Sequence, residues 1–443
     1  MQNWRFTTIG DISEVVTKGT TPTSIGFKYI ESGVNFVKVE TIDSRGQFLP
    51  SKFAHIDNDC NEALKRSQLK SGDILFSIAG ALGRTARVTP DILPANTNQA
   101  LAIIRLKRSH EVIPEFILHA LSSGILIEQI ERQRGGVAQQ NLSLAQVKSF
   151  QIPLPPIAEQ KRIVGILDEA FEGIDRAIAH TQKNLANARE LFESYLNAIF
   201  TQKGDGWVEK KLQDILIVQP RNGWSPPAQN HSDTGTPVLT LSSVTGFQFN
   251  KNKIKFTNAT TKKDAHYWLK NGEFLSTRSN TTELVGHVAI CEGLIEPTIC
   301  CDLIMKMKID PNQAETRFVY WHFRTHALRE LISSSAQGAN PTMKKINKNI
   351  VQNLPVFLPA INIQKDIVYK VDTFECETQR LETIYQQKLA ALNELKQSIL
   401  QKAFTGELTA DSAEPVTQPC RRSPQPKAKP DATDRTVYNA TRP

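Results

Sequence analysis

Three short stretches of the sequence invite a catalytic reading, and each falls short of one. Gly80-Ala81-Leu82-Gly83-Arg84-Thr85 has glycines and a hydroxyl, but lacks the spacing and the lysine of the phosphate-cradling loop G-x-x-x-x-G-K-[ST]. Asn340-Pro341-Thr342-Met343 shares only its first two letters with the N-P-P-[YF] element of adenine-modifying sites. Glu394-Leu395-Lys396 fits the E-x-K triplet of metal-dependent nucleases, yet it sits in a helical run where Leu395 is expected on an apolar stripe. The nine histidines are dispersed, with no Ser or Cys partner at a recognisable spacing, so none reads as a general base. Cys60, Cys291, Cys300, Cys301, Cys376 and Cys420 form no C-x-x-C pair and no zinc-type cluster with histidine. They read as reduced thiols, and neither catalytic residues, a metal site nor disulfides are expected.

The absence of a catalytic constellation shifts attention to charge. The chain carries a formal +8 at pH 7, and the excess is uneven: +3 over residues 1–150, −2 over 151–206, +6 over 207–355 and −1 over 356–410. A polyanion footprint would concentrate in that way. No apolar run approaches the ~18–20 residues of a membrane span. The longest, Ile74 to Gly83, is interrupted by Ser77 and Gly80. Arg5, Asp11, Glu14 and Lys18 leave no room for a secretory leader in the first thirty residues, so a cytoplasmic protein with no membrane partner is expected.

The elements that position these segments are duplicated. Offset by 204, Leu154-Pro155 falls on Leu358-Pro359, Gln160-Lys161 on Gln364-Lys365, Asp168 on Asp372 and Phe200-Thr201 on Phe404-Thr405. Over Leu154 to Thr201 the two copies agree at 18 of 48 positions, where ordinary composition gives ~3. The preceding segments repeat more loosely. Gly19-Thr20-Thr21-Pro22 falls on Gly223-Trp224-Ser225-Pro226, Lys70-Ser71-Gly72-Asp73 on Lys270-Asn271-Gly272-Glu273, Gly83 on Gly286 and Gly136 on Gly338.

The well-matched segment reads as a long helix. Val164, Leu167, Phe171, Ile174, Ile178 and Leu185 recur in three-four alternation, interrupted only by Thr181, and form a coiled-coil seam. The seam of the second copy is expected through Val371, Phe374, Leu381, Leu392, Leu395 and Ile399. Prolines 155, 156 and 359 suit the first turns, and Gly204 and Gly406 the stops. Neither rod can bury such a stripe alone. Like repeats packed about a pseudo-two-fold axis would run antiparallel.

The expected fold is α+β: two globular domains separated by two long antiparallel coiled-coil helices, as a pseudo-two-fold internal repeat. The divisions fall at residues 1–153, 154–206, 207–357, 358–410 and a Pro-rich tail, 411–443, read as disordered. Within the globular parts, 73–77, 101–106 and 303–307 read as strands, and Pro114 to Ile130 and Ala314 to Ile332 as helices.

The elements Leu154-Pro155-Pro156-Ile157-Ala158-Glu159-Gln160-Lys161-Arg162-Ile163-Val164 and Ala403-Phe404-Thr405-Gly406-Glu407-Leu408 resemble the helical regions of specificity (S) subunits of type I restriction-modification enzymes. Gly19-Thr20-Thr21-Pro22 and Lys70-Ser71-Gly72-Asp73-Ile74-Leu75 resemble the openings of that family's target recognition domains. The likeness spans about residues 1–410; it departs at Asn362-Ile363-Gln364, where Glu usually precedes Gln, and in the tail. It implies a non-catalytic reader of double-stranded DNA, each globular domain binding one half of an asymmetric bipartite site. Two methyltransferase (M) subunits would dock on the helices and use S-adenosylmethionine, and restriction (R) subunits would bring ATP and Mg; this chain would bind none of these cofactors.

Phosphates call for Lys, Arg or backbone N–H, and base edges for Arg on guanine or Asn and Gln on adenine. The loops that supply them hold Arg84, then Arg134 with Gln139, Gln140 and Asn141 in the first half. In the second half they hold Lys262, Lys263, Arg278, Asn280, Asn340, Lys344 and Lys345. Two other readings compete on sequence alone: a self-sufficient nuclease or modifying enzyme with an unrecognised site, and a coiled-coil protein scaffold.

Overall fold

The computed structural model describes residues 4–43, 45–108, 111–134 and 141–409, without the side chains of 133 and 134. The tail expected from residue 411, together with Gln139 and Gln140, lies outside the described residues. Two compact units divide the chain: Met1–Ile174 with Asn393–Pro443, and Asp175–Leu392. Each unit therefore takes a globular part and a stretch of both long helices.

The strands of the first unit are β1 (Arg5–Thr8), β2 (Ser13–Lys18), β3 (Val34–Val37), β4 (Ala54–Ile56), β5 (Ile74–Ser77), β6 (Thr85–Arg87), β7 (Ala95–Thr97), β8 (Leu101–Leu106) and β9 (Gln151–Leu154). An antiparallel sheet in the order β2-β8-β5-β6 forms the centre, β4-β3-β7 a second sheet, and β1 with β9 a closing pair. The central strands are apolar on both faces because both faces are covered. Ile74, Phe76, Ala102 and Ile104 enter one core with Phe116, Phe150 and the long-helix residues Ile163 and Leu167, while Leu75, Leu101 and Ile103 enter another with Ala86, Val88 and Ile92.

The second unit repeats this plan with β10 (Val208–Lys211), β11 (Leu216–Asn222), β12 (His231–Ser232), β13 (Thr236–Leu239), β14 (Ile254–Thr257), β15 (Phe274–Thr277), β16 (Ser279–Asn280), β17 (Val288–Ile290), β18 (Ile304–Ile309), β19 (Lys344–Lys345) and β20 (Pro355–Leu358). Its central sheet is β11-β18-β15-β17 and its closing pair β10 with β20. Phe274 and Leu275 face separate cores, as Ile74 and Leu75 do. Both units also require a glycine where the chain leaves the first strand of the central sheet. A Cβ on Gly19 would sit 1.7 Å from the Thr97 carbonyl oxygen, and one on Gly223 would sit 2.0 Å from that of Cys300.

Two expected helices are each broken in two. Pro114–Leu121 and Gly124–Arg134 replace one helix through Ile130, and Thr316–Arg324 and His326–Ser335 replace one through Ile332. At the second break Thr325 is extended (φ −64°, ψ 146°), and its buried hydroxyl donates to the His322 carbonyl, taking a partner the helix would have used.

The long helices run Ile157–Gln202 and Ile361–Thr405, so Pro155, Pro156 and Pro359 precede the first turns instead of occupying them. Gly406, at φ +81°, follows the second helix. The helices run antiparallel within each unit. In the first, Phe171 meets Lys396 while Ile163 and Leu167 share a core with Leu400, Ala403 and Phe404. In the second, Arg189 pairs with Glu382 at 2.9 Å, and Phe192 and Tyr195 pack on Phe374.

Val164, Leu167, Phe171, Ile174, Ile178, Leu185, Val371, Phe374, Leu392 and Ile399 are buried or half-buried on this seam. Leu381 and Leu395 are corrections, exposed at 40% and 47%. After Thr378 the stripe takes a four-residue step to Glu382 and later passes through Lys396. Glu382 gains an Arg189 partner there, and the Lys396 ammonium lies 4.6 Å from the centre of the Phe171 ring, so long polar stems fill positions that periodicity gives to leucine. The buried Thr181 and Thr378 hydroxyls donate to their own helix, to Ala177 and Phe374 carbonyls.

Candidate nucleic-acid interface

At one end of each central sheet, two distant loops are laced together in the same way. In the first unit Gly83 N–H donates to the Ser77 carbonyl (3.1 Å) and Leu142 N–H to that of Ile78 (2.8 Å), with Ala79 bridged to Asn141. In the second, Gly286 N–H donates to the Thr277 carbonyl (2.9 Å), Ile346 N–H to that of Arg278 (2.9 Å), and β16 pairs with β19.

This lacing places Arg278 and Asn280 beside Lys344 and Lys345. Lys345 pairs in turn with Gln337, and the Lys344 ammonium donates to the Gly338 carbonyl at 2.6 Å. Asn340 is exposed and caps the short turn that leads into β19, its side-chain Oδ1 accepting the Thr342 N–H and hydroxyl. The Arg278 backbone is held at both N–H and C=O, whereas its half-buried guanidinium has no hydrogen bond or ion pair among the described residues. A cation fixed by its main chain and left without a protein partner suits phosphate or a guanine edge.

The other candidates are placed differently. Arg84 is half-buried and donates from Nη1 to the carbonyls of Val39 (3.2 Å) and Ile42 (2.7 Å). Asn141 is exposed at the junction, and Arg134 ends a helix, its side chain not described. Lys262 and Lys263 are exposed on another loop, pinned where the Lys262 N–H donates to the Tyr267 hydroxyl and its carbonyl accepts the Trp268 indole N–H. No hydrogen bond, strand pairing or ion pair among the described residues joins that loop to Arg278.

At the opposite ends of β5 and β15 are charged pairs that sequence reasoning overlooked, although the repeated Gly-Asp and Gly-Glu dipeptides marked them. Asp73 accepts the Lys70 N–H and a two-pronged bond from Arg105 (2.7 and 2.7 Å). These side-chain bonds raise the Arg105 pKa further. Glu273 accepts the Lys270 N–H and pairs with Lys306 at 2.7 Å, while the Lys306 ammonium also donates to the Trp268 carbonyl. The duplicated Gln160 and Gln364 are buried clamps at the roots of the long helices. Gln160 accepts the Ile113 N–H and donates to the Glu111 and Pro155 carbonyls; Gln364 accepts the Glu315 N–H and donates to that of Pro359. The duplicated aspartates tie the same helices outward, Asp168 to His119 (2.9 Å) and Asp372 to Arg317 (3.0 Å) and the Trp321 indole (2.7 Å).

Among the described residues no three His, Cys, Asp or Glu gather as a metal-ion donor set, and no helix is long and apolar enough to cross a membrane. The five cysteines among them are free, and burial pushes the Cys300 thiol well up.

A family model described as the type I restriction modification DNA specificity domain matches the chain twice, over residues 1–186 and 204–391. The chain belongs to this family. It is 27% identical over 380 residues to the type I restriction enzyme EcoKI specificity subunit of Escherichia coli, covering 78% of this chain and 81% of that one. It is 26% identical to the StySPI specificity subunit of Salmonella potsdam (68% and 66% covered), and 21% identical to the MjaX specificity subunit of Methanocaldococcus jannaschii, the last described as putative (92% and 94%). The fold is shared with the HsdS subunit from Thermoanaerobacter tengcongensis (TM-score 0.53, 20% identity, 92% and 98% covered). A chain from a structure concerned with assembly and conformational transition of a type I R-M system is also similar (TM-score 0.73, 21% identity, 92% and 99% covered).

Proposed function

We propose that this chain is the non-catalytic DNA-reading subunit of a type I restriction-modification assembly in the cytoplasm. Each globular part reads one half of an asymmetric bipartite site, and the paired helices set the length of the unread gap. The observation that carries this reading is the duplicated junction, with the Arg278 guanidinium unpaired beside Asn280, Lys344 and Lys345. Two copies of one frame with different exposed side chains suit two unlike half-sites.

Two methyltransferase subunits dock on the long helices and modify adenine with S-adenosylmethionine, and restriction subunits contribute ATP- and Mg-dependent chemistry. The chain itself positions those partners. Mapping modified adenines across the host genome with the gene present and deleted tests this reading. A gapped motif that vanishes on deletion is expected, and methylation indifferent to the deletion refutes it.

A further inference from the structure

Arg84 and His287 occupy the same place in the two repeats. Each follows the left-handed glycine that closes the junction loop, Gly83 (φ +79°) or Gly286 (φ +72°). Each accepts at its carbonyl from the same strand position, the Ser77 N–H or the Thr277 N–H, both at 2.8 Å. From this shared position the side chains reach the same neighbour by opposite chemistry. In the first unit that neighbour is the turn Val39–Thr41 and the loop after it, whose carbonyls at Val39 and Ile42 accept from Arg84. In the second it is the turn Leu241–Ser243 and its loop, where His287 Nδ1 accepts the Gly246 N–H at 3.0 Å. The His287 ring also stacks on Phe247, centroids 4.1 Å apart.

The two loops correspond. Both return to their turns through one backbone bond, Leu49 N–H to the Thr41 carbonyl (2.8 Å) and Asn250 N–H to that of Ser243 (2.9 Å). Gly46-Gln47-Phe48 therefore falls on Phe247-Gln248-Phe249; Gly46 (φ +77°) is left-handed in the first loop, and Phe247 (φ +61°), after the left-handed Gly246 (φ +91°), takes the matched place in the second. A left-handed phenylalanine costs about 1–3 kcal/mol and persists only where its surroundings enforce it. Here the His287 stack and the Tyr320 hydroxyl, which donates to the Phe247 carbonyl at 2.7 Å, enforce it.

Both loops border the junctions. Asn280 Nδ2 donates to the Thr245 hydroxyl at 3.3 Å, and a Cβ on Gly46 would lie 2.6 Å from the Thr85 carbonyl oxygen, against β6. Each loop exposes a glutamine at the matched place, Gln47 and Gln248, whose amides have no partner among the described residues.

We propose that Gln47 and Gln248 read one base each, in opposite halves of the target, and that Arg84 and His287 are positioning residues that lock the loops carrying them. A primary amide offers a donor and an acceptor together, which matches the adenine edge in the major groove only when the amide is held in one orientation. The brace fixes the loop backbone from which each amide projects. This inference rests on the DNA-reading function proposed above.

The test expresses the full chain with its methyltransferase partners and maps adenine methylation for the wild type and for Gln47→Ala, Gln248→Ala, His287→Ala and His287→Asn. Gln248→Ala is expected to relax one position in one half of the motif by about 10- to 100-fold. Gln47→Ala relaxes one position in the other half. His287→Ala relaxes the position that Gln248→Ala does, and His287→Asn restores part of the discrimination because its amide oxygen can accept the Gly246 N–H. Normal reading of the untouched half in each variant reports an intact assembly. A motif unchanged by both glutamine substitutions, relaxation of the same half by both, or uniform loss at every position overturns the inference alone. A wild type that yields no gene-dependent gapped motif overturns the function and the inference together.

Discussion

Arg278 directly precedes β16 and Lys345 lies on its paired strand β19, yet they should fail differently when removed. A half-buried, main-chain-anchored guanidinium can form two parallel bonds to one base, so Arg278→Ala is expected to lose roughly 1–3 kcal/mol of discrimination at one position. Arg278→Lys should not restore it, since an ammonium has no fork. The exposed Lys345 suits a phosphate, and Lys345→Ala should weaken every sequence alike. Competition binding of the assembled complex with single-base duplex variants separates the two patterns. A second residue-scale prediction concerns acid. Burial lowers the pKa of His287 to about 4, with Arg329 and Arg324 adding to the effect, and burial lowers that of His322 to about 4. Unfolded histidines titrate near 6.5, so between ~6.5 and ~4 the unfolded chain holds more protons. Stability is therefore complete above this window and falls as pH drops through it, by up to about 1.4 kcal/mol per pH unit for each group. Melts at pH 7.5 and 5 should differ, and less so in a His322→Phe variant. The polar types in these loops were legible in the sequence, but their convergence was not, because Arg278 and Lys345 lie far apart in the chain. Arg84 looked like a free cation in a glycine-rich loop, and only the positions of the Val39 and Ile42 carbonyls reveal its bonds.

The elements were easier to foresee where one rule governed them. Strands β5 and β8 are apolar except at Ser77 and Arg105 because cores cover both faces, and they appear close to their expected limits. The long helices followed from repetition and period. The phase of the second seam did not, since three-then-four and four-then-three steps both place residues on one stripe, and cross-helix partners for Glu382 and Lys396 chose between them. The helix break at Thr325 likewise depends on a buried hydroxyl bond rather than on a proline or glycine. The Glu273–Lys306 pair offers a test at this scale, both side chains being nearly buried. Lys306→Ala strands a carboxylate in the sheet and is expected to cost about 3–5 kcal/mol, while Lys306→Met with Glu273→Leu should cost much less. Denaturant unfolding of the single and double variants measures the difference. Gln160→Ala leaves the Ile113 N–H and two carbonyls without their partner and should cost about 1–3 kcal/mol.

At the scale of the whole molecule, positive charge is concentrated in the two globular parts, while the helical segments are slightly acidic. Affinity of the assembled complex for its duplex should therefore fall linearly in log–log form with salt, losing roughly 10³–10⁵ between 50 and 200 mM for 6–10 phosphate contacts. A flat response would instead favour a protein scaffold. Removing one globular part should abolish reading of one half-site and spare the other, as pull-down of duplexes carrying single half-sites would show. The braces at Arg84 and His287 also bear on whether the two loops can be interchanged. One offers hydrogens to carbonyl oxygens and the other a lone pair to an amide hydrogen. A loop moved between halves without its brace would meet a donor facing a donor, or an acceptor facing an acceptor. A chimera that exchanges these loops is therefore expected to need 39–87 or 241–290 moved as one block, and a junction placed inside either block is expected to give a chain that assembles but loses discrimination.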